Sequence, residues 1–108
     1  MTDLASITVE DHDDGSVIHV RGEIDLSNAS RLSDAIERSI SNEATSVTID
    51  LTETTYLDSA GIQLLFTLAT RLGTRRRHLA VIAPEGGVVR GVLDVTGVPQ
   101  VMEVRSSL

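Results

Sequence analysis

The sequence predicts an α/β fold, a mixed β-sheet with helices packed on it, and three observations carry that prediction. Short β-rich segments alternate with helical ones after an opening hairpin pattern. The helical segments carry one-sided apolar stripes. Hydrophobic residues make up 41% of the chain and charged residues 23%, the balance of a folded globular domain and not of a disordered one.

The elements follow in order. Ser6 to Glu10 alternates, with Ile7 and Val9 on one side and Thr8 and Glu10 on the other, which is a strand pattern. Asp13-Asp14-Gly15 is a turn signal, and Val17 to Arg21 resumes the β composition, so the two runs form a hairpin. Gly22-Glu23-Ile24-Asp25 leads into a helix that Ser27 or Asn28 caps, with Leu32, Ala35, Ile36 and Ile40 on its buried face. Asn42 to Ala44 breaks it. Val47 to Leu51 is a short central strand. Thr52 to Asp58 connects it to a second helix from about Ser59 to Leu72, stopped by a Gly73-Thr74 cap signal. In this helix Ile62, Leu65, Phe66, Ala69 and Leu72 make one stripe, while Leu64 and Leu68 lie off it. So wide an apolar arc predicts deep burial. His78 to Ala83 is a strand stopped by Pro84, and Val88 to Val95 a third helix weakened by the glycines around it. Gly97-Val98-Pro99 is a turn and Gln100 to Val104 a last strand. The starting hairpin is antiparallel and the later β-α-β units are parallel, so the sheet is mixed.

The 108 residues suit one domain spanning 1–108, large enough to bury a core. With no Cys, disulfides, thiolate catalysis and Cys-ligated zinc are excluded. No apolar run approaches the roughly 18 residues of a membrane span. Met1 to Glu10 carries acids and alternation in place of a signal sequence, so a cytoplasmic chain with no membrane partner is expected. A formal charge of −7 repels phosphate backbones, and Tyr56 and Phe66 are the only aromatics, so direct nucleic-acid binding is not expected. The basic cluster Arg75-Arg76-Arg77-His78 reads as a solvated turn at the negative end of the preceding helix.

Leu57-Asp58-Ser59-Ala60-Gly61-Ile62 lies where a central strand's outgoing loop meets a helix, the end of the sheet at which α/β folds present working groups. The residues alone leave two readings open. Asp58 or Ser59 caps the helix and Gly61 permits close packing, or the Ser59 hydroxyl is an exposed reactive oxygen.

Three segments, in order, resemble the STAS family of anti-sigma factor antagonists. Gly22-Glu23-Ile24-Asp25 looks like the family's G-E-[LI]-D. Asp50-Leu51 through Leu57-Asp58-Ser59-Ala60-Gly61-Ile62 looks like its D-L-x5-[LMI]-D-S-[STA]-G-[LI] signature. Val92-Leu93-Asp94-Val95-Thr96-Gly97-Val98 is similar to its V-L-x-[LV]-[TS]-G-[LV] tail. The resemblance runs from about Ile7 to Val104. It implies a STAS fold with helices on one face of the sheet, and no enzymatic activity or cofactor. Ser59 would be phosphorylated by a partner that is both serine kinase and anti-sigma factor. The unphosphorylated form would bind that partner and release the sigma factor, and a separate phosphatase would reset it. Asp25 matches an aspartate close to the phosphorylated serine and needed for its phosphorylation. Asp58, Ala60, Gly61 and Ile62 would neighbour the site and contact the partner. Ala60 replaces a Ser or Thr of many members, losing a hydroxyl but not the acceptor.

Other readings are weaker. A hydrolase or phosphotransferase with Ser59 as nucleophile lacks a base, since His12, His19 and His78 fall elsewhere and no G-x-S-x-G surrounds Ser59. Asp25, Asp50 and Asp58 supply hard oxygen ligands but no Ca²⁺-loop spacing. A STAS signalling or scaffold module regulated without phosphorylation fits the same residues.

Overall fold

A computed structural model describes residues 4–13 and 15–108. Residues 1–3 of the acidic N-terminal run, and Asp14 of the expected hairpin turn, lie outside it. The order is β1 (Ala5–Asp11), β2 (Gly15–Ile24), α1 (Ala29–Ser39), β3 (Ser46–Asp50), β4 (Thr54–Leu57), α2 (Ser59–Thr74), β5 (His78–Ile82), α3 (Val88–Val95), a 3-10 turn (Val98–Gln100) and β6 (Glu103–Arg105).

The sheet runs β1-β2-β3-β5-β6, with β1 antiparallel to β2 and every other pair parallel. β2, β3, β5 and β6 follow one another in one direction across the sheet. Right-handed crossovers therefore put the intervening helices on the same face. Strand alternation then separates two rows. Val9, Ile18, Ile49, Val81 and Val104 are consecutive partners across five strands and face the helices. One residue further along, Thr8, His19, Asp50, Ile82 and Arg105 form a row on the opposite face. Ile18, Ile49 and Val81 are fully buried, and each such side chain contributes roughly 1.5–3 kcal/mol by leaving water.

Several boundaries differ from the expectations. β2 runs on through Gly22-Glu23-Ile24, which had looked like a lead-in to the helix. It outlasts β3, and the connecting segment read as loop supplies β4, which pairs with this extension. A bulge between Gly22 and Glu23 accommodates the change of partner. Gly22 has φ +103°, and a Cβ there would stand 2.2 Å from the Leu4 carbonyl oxygen, so only glycine fits.

The side chains of Ser27 and Asn28 do not cap α1. The Asn28 side chain turns back instead, accepting from the Asp25 N–H (2.9 Å) and donating to the Glu23 carbonyl (2.8 Å). In α2 the buried side is formed by Ile62, Leu64, Leu65, Leu68 and Leu72, while Phe66 and Ala69 sit at its margin. The expected burial of Leu64 and Leu68 holds, with the stripe's centre rotated towards them. α2 continues through Gly73-Thr74, and the left-handed residue after its end is Arg76 (φ 58°), not a glycine. Glu37 and Arg71 pair across α1 and α2. The last strand begins only at Glu103, because Pro99 and Gln100 are taken by the 3-10 turn.

Candidate functional site

The β2–β4 pairing builds the site. Ile24 pairs with Leu57, and the Asp58 N–H donates to the Ile24 carbonyl at 3.3 Å, so the backbones leading out of two strands are held side by side. Asp25 follows Ile24, and Asp58-Ser59 follows Leu57. Residues 34 positions apart in sequence thus emerge together at the carboxyl ends of the strands.

Asp58 is the residue that caps α2. Its backbone is extended (φ −104°, ψ −167°), and its Oδ1 accepts from the N–H groups of Ala60 (2.8 Å) and Gly61 (3.3 Å). Such a cap contributes about 1 kcal/mol. Ser59, the first helical residue, is exposed, and among the described residues its hydroxyl has no hydrogen-bond partner. The sequence left the cap to either residue; the structure gives it to the carboxylate and leaves the hydroxyl free in solvent.

Asp25 is half-buried. Its Oδ1 accepts from the Ser27 N–H (2.9 Å) and hydroxyl (2.5 Å), and the Asn28 side chain braces the same turn. Asp25 and Asp58 therefore lie at the same end of the sheet as the free hydroxyl. Gly61 and Ile62 do not belong to the surface. Both are buried, and a Cβ at Gly61 would come within 2.2 Å of Leu57 Cδ1. They hold α2 against β2 and β4 from beneath. Ala60 is half-buried and lines a groove of about 410 Å³ between α1 and α2, together with Leu26, Ala29, Gln63 and Thr67.

None of the three histidines serves Ser59 as a base. His19 bonds to Asp50 and Glu10, His78 bonds to Glu103, and His12 lies in the hairpin connection. Asp50 is likewise separated from Asp25 and Asp58, being occupied by His19 and Thr52. Among the described residues no group of three or more His, Asp or Glu is arranged to hold a metal ion, and no helix is long and apolar enough to cross a membrane.

Sequence reasoning missed two contributors. One is the Asn28 brace, because a helix-start Asn reads by default as a cap. The other is Leu26, whose side chain is 84% exposed directly after Asp25; its position between Asp25 and the capping candidates was the available signal.

The comparisons agree with this geometry. Residues 7–104 match the family model described as "Mlab, STAS domain". The anti-sigma-F factor antagonist RsfB of Mycobacterium tuberculosis is 30% identical over 106 residues, covering 98% of this chain and 85% of that protein. The anti-sigma-B factor antagonist of Listeria monocytogenes is 28% identical over 102 residues, covering 94% and 89%. The crystal structure of an anti-sigma factor antagonist from Mycobacterium paratuberculosis superposes with a TM-score of 0.83 at 30% identity, covering 96% of this chain and 87% of that one. With the fold and the matched segments in their order, the chain belongs to the STAS-domain family of anti-sigma factor antagonists.

Proposed function

We propose that this chain binds an anti-sigma factor in its unphosphorylated form, so that the sigma factor is released, and that phosphorylation of Ser59 by that partner, a serine kinase, ends the interaction until a phosphatase resets it. The observation that carries the reading is the free, exposed Ser59 hydroxyl at the start of α2, beside a carboxylate that already performs the capping. An unpartnered hydroxyl on a turn can enter another protein's active site without unfolding its own helix. Exposed apolar residues follow or end the neighbouring strands: Leu26 shortly after β2, lining one groove with Ala60, and Tyr56 (46% exposed) within β4. They supply the apolar contact area that a protein partner would cover.

Phosphorylation adds about −1.5 to −2 charges. Beside Asp58 and Asp25 that charge meets like charge, and at a closing interface it must also lose water. A penalty of ~2.7 kcal/mol suffices to weaken binding about a hundredfold. The start of α2 accommodates part of the charge, so the switch acts at the interface and not by refolding.

Incubation with the cognate anti-sigma factor and ATP, read by intact mass and peptide mapping, tests the acceptor. One phosphoryl group on Ser59 is expected, and none on Ser59→Ala. A chain that binds the anti-sigma factor but gains no phosphate at Ser59 would instead be a STAS module controlled without phosphorylation.

A further inference from the structure

On the sheet face opposite the helices, far from the cap of α2, lies a continuous polar chain that the proposed switch does not use. His19, in the middle of β2, is flanked by β1 and β3. Its Nε2 is 2.5 Å from Glu10 Oε1 on β1, and its Nδ1 is 2.7 Å from Asp50 Oδ2 on β3. Asp50 Oδ1 in turn accepts from the Thr52 hydroxyl (2.5 Å) and N–H (3.0 Å). Both ring nitrogens thus face carboxylate oxygens, which accept and do not donate when ionised. A neutral imidazole carries one N–H and one lone pair, so it satisfies only one of these contacts and sets the lone pair against an anion. An imidazolium satisfies both with charge-assisted hydrogen bonds.

We propose that His19 is a proton-dependent clasp: while its ring is charged it fastens the edge strand β1 and the central strand β3 to β2, and loss of the proton releases the edge strand.

The surrounding groups fit this role. From β1, Thr8 stands opposite His19 and Glu10 bonds to it; from β3, Asp50 does both. The next side chain on the same face of β2 is Arg21, whose charge is paired with Glu53 at 2.6 Å, so it does not oppose the imidazolium unbalanced. Further along the row stand Ile82, apolar, and Arg105, which pairs with Glu103 at 3.7 Å. Glu10, His19, Arg21 and Asp50 line a hollow on this face, and Pro84 and residues 106–108 complete its wall. The hydrogen bonds to Asp50 and then Glu10 hold the His19 pKa above its ordinary value of 6.5, outweighing partial burial. A group raised in this way contributes stability in full below its unfolded-state pKa and loses it as pH rises through the folded-state value. The clasp is therefore closed below the ordinary value of 6.5 and opens as pH rises through the raised value of His19. Its release point is β1, and Leu4, the residue before that strand, also bonds to the extension of β2 that leads to the site, its carbonyl accepting from the Glu23 N–H at 2.9 Å.

An NMR titration of His19, combined with amide exchange of Ser6, Thr8 and Glu10, whose N–H groups face β2 in this register, tests the clasp on the intact chain over the same pH range. His19 is expected to titrate above 6.5, and Glu10→Gln, at an exposed position, is expected to lower that pKa while the spectrum of the helices stays unchanged. Exchange in β1 should accelerate through the His19 titration by more than the roughly tenfold per pH unit of base catalysis, and His19→Gln should remove that extra step. A His19 that titrates at or below the ordinary value, or a β1 whose exchange follows base catalysis alone in the wild type, overturns the proposal.

Discussion

Asp58 and Ser59 carry adjacent side-chain oxygens with different tasks. The carboxylate accepts two backbone N–H groups at the start of α2, and the hydroxyl accepts and donates nothing within the described residues. Their substitutions should therefore separate. Asp58→Ala leaves two helix-start donors without their partner and should cost ~0.5–2 kcal/mol in urea or thermal unfolding. Ser59→Ala removes a solvated group and should stay within about 0.5 kcal/mol of wild type. Equal losses in the two would mean that the cap is shared. Asp25 is the second acidic residue at this end of the sheet, and its Oδ1 holds Ser27. An Asn retains an acceptor there, so Asp25→Asn should keep the melting transition while slowing phosphorylation of Ser59 in a kinase assay; an unchanged rate would remove Asp25 from the site. The sequence singled out this hexapeptide but not which of its residues caps the helix. Ser and Asp are both strong caps, and only the extended backbone of Asp58 with its bonded oxygen decides between them.

At the level of elements, the site depends on β2 being longer than β3. The extension past Gly22 creates an unpaired stretch of edge, β4 fills it, and the pairing of Ile24 with Leu57 sets Asp25 beside Asp58. This strand escaped the sequence because Thr54–Leu57 does not alternate: its two ends are buried and Thr55 and Tyr56 are exposed, so no period of two is visible. The central helices and strands were legible because their apolar spacing is long and regular. The ends were not: the sequence placed a stop at Gly73-Thr74, but the helix runs to Thr74 and Arg76 adopts the left-handed conformation. Packing beneath the site makes two further predictions. Gly61→Ala drives a methyl group into Leu57 and should cost ~1–3 kcal/mol. Leu68→Ala empties a fully buried position of α2 and should cost ~2–5 kcal/mol. Both are read from denaturant midpoints, and a neutral Gly61→Ala would show that α2 is free to shift away from β4.

Over the whole molecule, the crossovers place every helix on one face, so the two faces and the two ends have different chemistry. The carboxyl ends of β2 and β4 lead to Asp25, exposed Leu26, Asp58 and the free Ser59 hydroxyl. The face away from the helices carries the His19 network. That network gives stability a pH dependence with two limbs. Burial pushes the Asp50 carboxyl up, but the bonds from Thr52 and His19 outweigh it and hold the group below its ordinary value of 3.8. The contribution of Asp50 is thus present above that ordinary value and lost as pH falls through the lowered one, whereas that of His19 is lost as pH rises through its raised one. Urea unfolding across pH should show wild type losing stability at both limits, and Asp50→Asn should weaken both dependences. A difference between the two proteins that does not vary with pH would contradict the assignment. The apolar content of the single strands was readable in advance. The polar row was not, because pairing His19 with Asp50 requires the strand order, and composition says nothing of it. The most direct test of the proposed switch is the affinity of this chain for its anti-sigma factor, measured with Ser59 unmodified, phosphorylated, and replaced by Ala, with folding checked by circular dichroism. Tight binding by the unmodified chain and by Ser59→Ala, with at least a hundredfold loss on phosphorylation (~2.7 kcal/mol), is the predicted result; equal binding by the phosphorylated and unphosphorylated forms would contradict it.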